Sequence, residues 1–283
     1  MTIRRSAFEH AHAILALVLY GAGTACSAKL EGAAPATHSI DSRPDAGGAT
    51  ALPTNDAAVL PASSLDAGRD AAGETTPAEA RCSAPVAVSS NPRTIAEAVA
   101  LMNALPRPTT LTCFIESLSG PLDVYFSKSQ LSAQPADGEA SPRTFIVNGS
   151  LFMSSVPSGF ARNTLELGFR TSAERAIRAE IAFPLLAPVT PRTMAEHIEF
   201  GERATFCGFC HGREARASDP FLGELGFESD VILPNPDDEL SIDAVRALAE
   251  TCDTFGDDER CGRLRALFGH GALQRSSAFD ESP

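Results

Sequence analysis

Between Ser27 and Arg81 the chain contains no aromatic residue. It is built of Ala, Gly, Pro, Ser, Thr and Asp with scattered charges, and short pieces such as Asp45-Ala46-Gly47 and Asp66-Ala67-Gly68 recur. Such a stretch cannot bury enough apolar surface to offset the entropy of ordering it, so residues 26–81 read as a disordered linker. As a flexible tether of about 55 residues it would have an end-to-end distance of roughly 40 Å. The foldable part therefore runs from Cys82 to the end. At about 200 residues it suits one domain or two small ones.

Ahead of the linker, Arg4 and Arg5 give a positive start, an apolar run follows from Ala11 to Tyr20, and small residues lead into Gly23-Thr24-Ala25-Cys26. Residues 1–25 have the three-part layout of an export signal, and the apolar run is too short for the roughly 20 residues that span a bilayer. The last four residues of this segment resemble a bacterial lipobox. The resemblance implies that Cys26 becomes the lipidated first residue of a mature lipoprotein, which reaches the membrane as its partner through that anchor. Ser27 in the next position implies delivery to the outer membrane, facing the periplasm or the cell surface. The linker would then be a stalk.

Export sets how the other six cysteines are read: in an oxidising compartment thiols pair, and an even number remains once Cys26 is set aside. A net charge of −13 and a pI near 4.9 argue against nucleic acid and against an anionic membrane surface as partners.

Thr94–Leu105 has a helical apolar period, with Thr94 as N-cap and Glu97 completing a capping box. From Leu111 the period changes. Leu111–Leu118, Leu122–Ser127, Thr144–Val147, Leu151–Val156, Thr164–Arg170 and Ala176–Phe183 are short runs rich in Phe, Ile, Val, Leu and Thr, separated by turn residues. After Pro191, Leu240–Phe255 and Asp257–Phe268 read as two helices joined tightly, with Ser241 and Asp257 as caps and Gly269 and Gly271 closing the second. The expected fold is α+β, with an antiparallel β-rich domain (sandwich or barrel) over 82–190 and a small, mainly helical segment over 191–283.

One motif stands above this background: Cys207-Gly208-Phe209-Cys210-His211, a C-x-x-C-H. Two thiols at that spacing can form thioethers with the vinyl groups of haem, and the adjacent His reaches the iron. The segment resembles a c-type cytochrome: Gly212 follows the His, and Asp219-Pro220-Phe221-Leu222 is similar to the Pro-x-Leu on the proximal side of that fold. The resemblance covers at most residues 193–283. It implies haem c as cofactor, Cys207 and Cys210 as anchors, His211 as proximal iron ligand and Phe206 and Phe209 as apolar cover, in a haem-binding, electron-transfer protein with a redox partner that the sequence does not name. All four methionines lie upstream of the motif, so a distal ligand would be His270, His197 or Met153; otherwise the site is five-coordinate.

Three other readings use the same residues. Cys207 and Cys210 could form a disulfide, act as a thioredoxin-like dithiol, or bind zinc with His211. The remaining cysteines read as structural. Cys252 and Cys261 flank the turn between the two helices, and Cys82 would tie the domain entrance to Cys113 in the first strand. Glu166, Glu180, Glu196 and Glu199 have no nucleophile to pair with. There is no Ser-His-Asp signature, no phosphate loop and no His-Glu-x-x-His, so no catalytic residue is assigned. The rival to a haem protein is a disulfide-stapled β-domain lipoprotein with a structural or binding role and no cofactor.

Overall fold

The computed structural model describes residues 82–132, 134–201, 204–252 and 258–280. The expectations for the export signal, Cys26, the linker and the Asp257 cap fall outside the described residues. Among the described residues no helix is long and apolar enough to cross a membrane.

Helix α1 (Ile95–Ala104) starts where expected. Thr94 Oγ1 accepts the Glu97 N–H at 3.2 Å, and the Glu97 carboxylate turns back to the Arg93 N–H at 2.6 Å. The next segment departs from expectation. Leu111–Leu118 is not the first strand but a second helix, α2 (Leu111–Ser117). Thr110 caps it by accepting the Cys113 N–H at 3.1 Å. Leu111, Phe114 and Ile115 then share one face at helical spacing, and all three are buried. Phe, Ile and Thr make the segment look strand-like by composition, but the cap and the i, i+3, i+4 stripe decide it.

Five strands follow: β1 (Asp123–Ser127), β2 (Arg143–Asn148), β3 (Leu151–Ser155), β4 (Thr164–Arg170) and β5 (Arg175–Ala182). Each pairs antiparallel with the next. Asn148 and Leu151 face each other across a two-residue turn, in which Gly149 takes a φ of 61° that a side chain would resist. Beyond β5 come α3 (Pro191–Ile198), β6 (Glu199–Phe200), β7 (Ala204–Thr205), the one-turn α4 (Gly208–His211), β8 (Ala215–Arg216), β9 (Phe227–Asp230), β10 (Glu239–Leu240), α5 (Ile242–Glu250), α6 (Asp258–Phe268) and β11 (Gln274–Arg275).

The fold is α+β, as expected. Among the described residues, nine of its strands make one sheet, in the order β10-β1-β2-β3-β4-β5-β9-β8 with β11 lying parallel beside β1, while β6 and β7 pair only with each other. The division between a β-rich 82–190 and a helical 191–283 does not hold as a boundary. The later segment returns β8, β9, β10 and β11 to the same sheet, and the described residues fall in one compact unit.

Register explains why the sheet has two unlike faces. One cross-strand row reads Val124, Ile146, Met153, Leu167 and Ala179, all buried in the core with α1, α2, α5 and α6. The neighbouring row, one residue along, reads Tyr125, Phe145, Ser154, Glu166 and Glu180. A one-residue step turns every side chain to the other face. Phe279 closes the apolar half of this second face, with its ring 4.5 Å from Tyr125, 5.2 Å from Phe145 and 5.6 Å from Phe152. The polar half lies over β4 and β5.

Two disulfides staple the fold. Cys252–Cys261 joins the α5 and α6 ends as expected. Cys82–Cys113 also forms, but it ties the domain entrance to helix α2 rather than to a strand.

Candidate functional site

The polar half of the second face is where the C-x-x-C-H segment lands. Helix α3 is set by a capping box, with the Thr190 hydroxyl accepting the Thr193 N–H and the Thr193 hydroxyl accepting the Thr190 N–H. It leads into the β6–β7 hairpin and so to Cys207. The Cys207 N–H donates to Thr205 Oγ1 at 3.1 Å. Thr205 is clamped in turn by Glu214, whose carboxylate accepts the Thr205 N–H at 2.6 Å and the Thr205 hydroxyl. For Glu214 to return this far the chain must reverse after His211. Gly212 at φ 60° and Arg213 at φ 37° make that reversal.

Helix α4 then holds the motif in one turn, with the His211 N–H donating to the Cys207 carbonyl at 2.9 Å. The His211 ring packs against β9 and β5. Its Nδ1 lies 2.9 Å from the Asp230 carbonyl and 3.2 Å from Arg178 Nη2, which itself donates to the same carbonyl at 3.0 Å. A carbonyl only accepts, so the 2.9 Å contact requires the proton on Nδ1. Nε2 therefore carries the lone pair, in the arrangement that second-shell partners impose on ligand histidines. Burial, and then the Arg178 guanidinium, push the His211 pKa down to about 4, so the ring is neutral near pH 7.

Asp230 is fixed by charge as well as by strand pairing. Arg175 reaches its carboxylate at 2.9 Å and Arg213 at 2.8 Å. The Arg213 guanidinium, with Arg175 behind it, holds that carboxyl below the usual range. Further along the face, Arg143 pairs with Glu166 at 2.5 Å and donates to Ser154 at 2.9 Å.

Cys207 is a free thiol, so the two cysteines of the motif are not bonded to each other. Burial, and then the nearby Glu166 charge, push the Cys207 thiol up to about 12, which keeps it as S–H at neutral pH. Cys210 is disulfide-bonded. Phe206 and Phe209 are exposed, and with Phe200 they form a cluster whose ring centroids lie 5.2 to 6.3 Å apart.

The structure separates the residues suggested as distal ligands. His270 Nε2 donates to the Ile115 carbonyl at 2.9 Å, and the His270 backbone is packed on Gly120 at the β1 end of the molecule. The motif lies by β9. Five strand-to-strand steps separate β1 from β9, roughly 24 Å, so His270 cannot reach a ligand held by His211. Met153 is 2% exposed on the core face, opposite Arg178. His197 is nearer, since α3 packs on β5, but its Nδ1 is bound to Glu180 at 2.9 Å. Among the described residues no three His, Cys, Asp or Glu side chains come together as a metal-ion set.

The four glutamates singled out from the sequence are all in ion pairs: Glu166 with Arg143, Glu180 with His197, and Glu196 and Glu199 with Arg192. Asp219, at the head of the Pro-x-Leu-like stretch, accepts the Phe221 and Leu222 N–H groups at 2.8 Å each, and Leu222 is buried in the core. Sequence reasoning missed Arg178, Asp230 and Phe200. The alternation of β5 carried a signal for Arg178, because it sets Arg178 and Glu180 opposite Ile177 and Ala179. Comparison with protein families, with curated proteins and with solved structures returns no match.

Proposed function

We propose that this chain is an exported, lipid-anchored envelope protein whose Cys207–His211 segment binds one covalent haem and takes part in electron transfer. The carrying observation is the His211 imidazole, neutral and held through Nδ1 by the Asp230 carbonyl, which leaves Nε2 as the ligand atom of a C-x-x-C-H. With Cys210 reduced the donor set fits: a neutral imidazole, a protonated thiol at Cys207 and a second thiol one helical turn on. Cys207 and Cys210 would each add sulfur and hydrogen across a vinyl group, which needs no oxidant. Cys210 must first be returned to the thiol by a two-electron thiol reductant. Phe200, Phe206 and Phe209 supply apolar cover beside the motif. When bound, haem supplies a one-electron iron couple.

A second reading is favoured by the oxidised cysteines. Cys82–Cys113, Cys252–Cys261 and the disulfide-bonded Cys210 suit a stapled β-rich lipoprotein with no cofactor. One preparation separates the two. Expressed with c-type cytochrome maturation factors, the protein should keep a haem stain after denaturation and gain the mass of one haem, and Cys207→Ala should keep at most one thioether. A colourless wild-type product in that host favours the second reading. Fractionation of the same cells tests the anchor, since Cys26→Ala should move the protein from membrane to soluble fraction.

A further inference from the structure

Arg178 is oddly placed for a cation. It projects from β5 into the partly buried layer beneath the motif, and among the described residues no carboxylate lies within 4 Å of it. The neighbouring acids are taken: Glu166 by Arg143, and Glu228 and the Asp230 side chain by Arg175. Arg178 Nε is buried without a hydrogen-bond partner. A partly buried cation without an ion-pair partner is costly, and a fold that keeps one asks for a use. It donates to the Asp230 carbonyl at 3.0 Å, and the same Nη2 lies 3.2 Å from His211 Nδ1, whose proton goes to that carbonyl as well.

We infer that Arg178 is a positioning residue for His211: it shares the Asp230 carbonyl with the imidazole, fixes the ring, and sets a positive charge with no ion-pair contact beside the proximal ligand that raises the reduction potential of the site. The inference rests on the haem reading above. Two effects act in the same direction. A guanidinium donating to the same carbonyl draws on the acceptor that would otherwise strengthen the imidazole as a donor to iron. The positive charge, screened only by a partly buried environment, also disfavours the more positive ferric state.

The test uses the haem-loaded protein and two variants. Arg178→Gln removes the charge at similar length, and Arg178→Lys keeps the charge but not the planar Nη2 donor that reaches the Asp230 carbonyl. The Gln variant should shift the one-electron reduction equilibrium about tenfold toward the ferric form, a fall of about 59 mV in midpoint potential. The Lys variant should keep that equilibrium within about twofold of wild type while changing the ferric electron paramagnetic resonance spectrum, because the ring is no longer fixed. Full haem content with wild-type potential in the Gln variant overturns the role of Arg178 and leaves the haem reading standing. A colourless wild-type protein overturns both. If the Gln variant does not fold, a Lys variant with an unchanged spectrum and a lowered potential overturns the inference by itself.

Discussion

Arg263 offers the sharpest test of the packing. It lies on α6, is 4% exposed, and points its guanidinium into the connection between β3 and β4. There Nη1 donates to the carbonyls of Val156 at 3.2 Å, Pro157 at 3.3 Å and Arg162, while Nη2 donates to Asn163 Oδ1 at 2.7 Å. Arg263→Met keeps most of the volume and removes every donor. A buried carbonyl left without a donor costs about 1–3 kcal/mol, so the Val156 and Pro157 carbonyls alone set a loss of about 2–6 kcal/mol. Relief of the buried charge and added apolar contact return roughly 1–2 kcal/mol. At the centre of those ranges the net loss should be about 2.5 kcal/mol, or roughly 5–10 °C in Tm for a domain of this size. Urea unfolding at a common m-value measures it. Arg265→Met, two residues on along the same helix and exposed, should lose less than about 1 kcal/mol. Equal losses in the two Met variants would refute the claim that Arg263 organises this loop.

Two further outcomes can be checked on the same material. Replacing Cys252 and Cys261 by Ala removes a bridge with a sequence separation of 9, which by the chain-entropy relation should cost about 2.7 kcal/mol at 25 °C; a double variant as stable as wild type, or free thiols at both positions in a non-reducing peptide map, would refute it. The hydrogen bond to Glu180 raises the His197 pKa above its usual 6.5 despite partial burial. A raised folded value adds stability that is complete below pH 6.5 and is lost as pH rises through the folded pKa, so the denaturation midpoint should fall over that window and Glu180→Gln should flatten the fall. An unchanged slope in the variant would count against the pair.

Arg263 also shows where the sequence stops speaking. In Glu259-Arg260-Cys261-Gly262-Arg263-Leu264-Arg265 the charged positions look alike, and only the tertiary neighbours make Arg263 an interior residue and Arg265 a surface one. The strands β1 to β5 were legible because one face is apolar over five residues or more, which gives alternation room to appear. The later strands β8, β10 and β11 have two residues each, too short for a period, and they are strands because an existing sheet edge offers them partners. The α2 segment failed for a different reason: its cap at Thr110 and its apolar stripe were both present, but β-branched and aromatic composition outweighed them.

The motif followed the same logic. A C-x-x-C-H is defined by residue types at fixed spacing, so Cys207, Cys210 and His211 could be read directly. What orients His211 is a backbone carbonyl, which any residue at position 230 could supply, together with an arginine whose facing depends on strand register. Neither leaves a mark in the sequence around the motif. Proximity along the chain misled in the opposite sense: His270 closes the same C-terminal segment as the motif, but that segment gives its strands to both ends of the sheet. Its β9 pairs with β5, while the stretch after α6 returns to β1. A chain that contributes to both edges of one sheet places its own neighbours a full sheet apart, which is why His270 and His211, close along the chain, lie at opposite ends of the sheet.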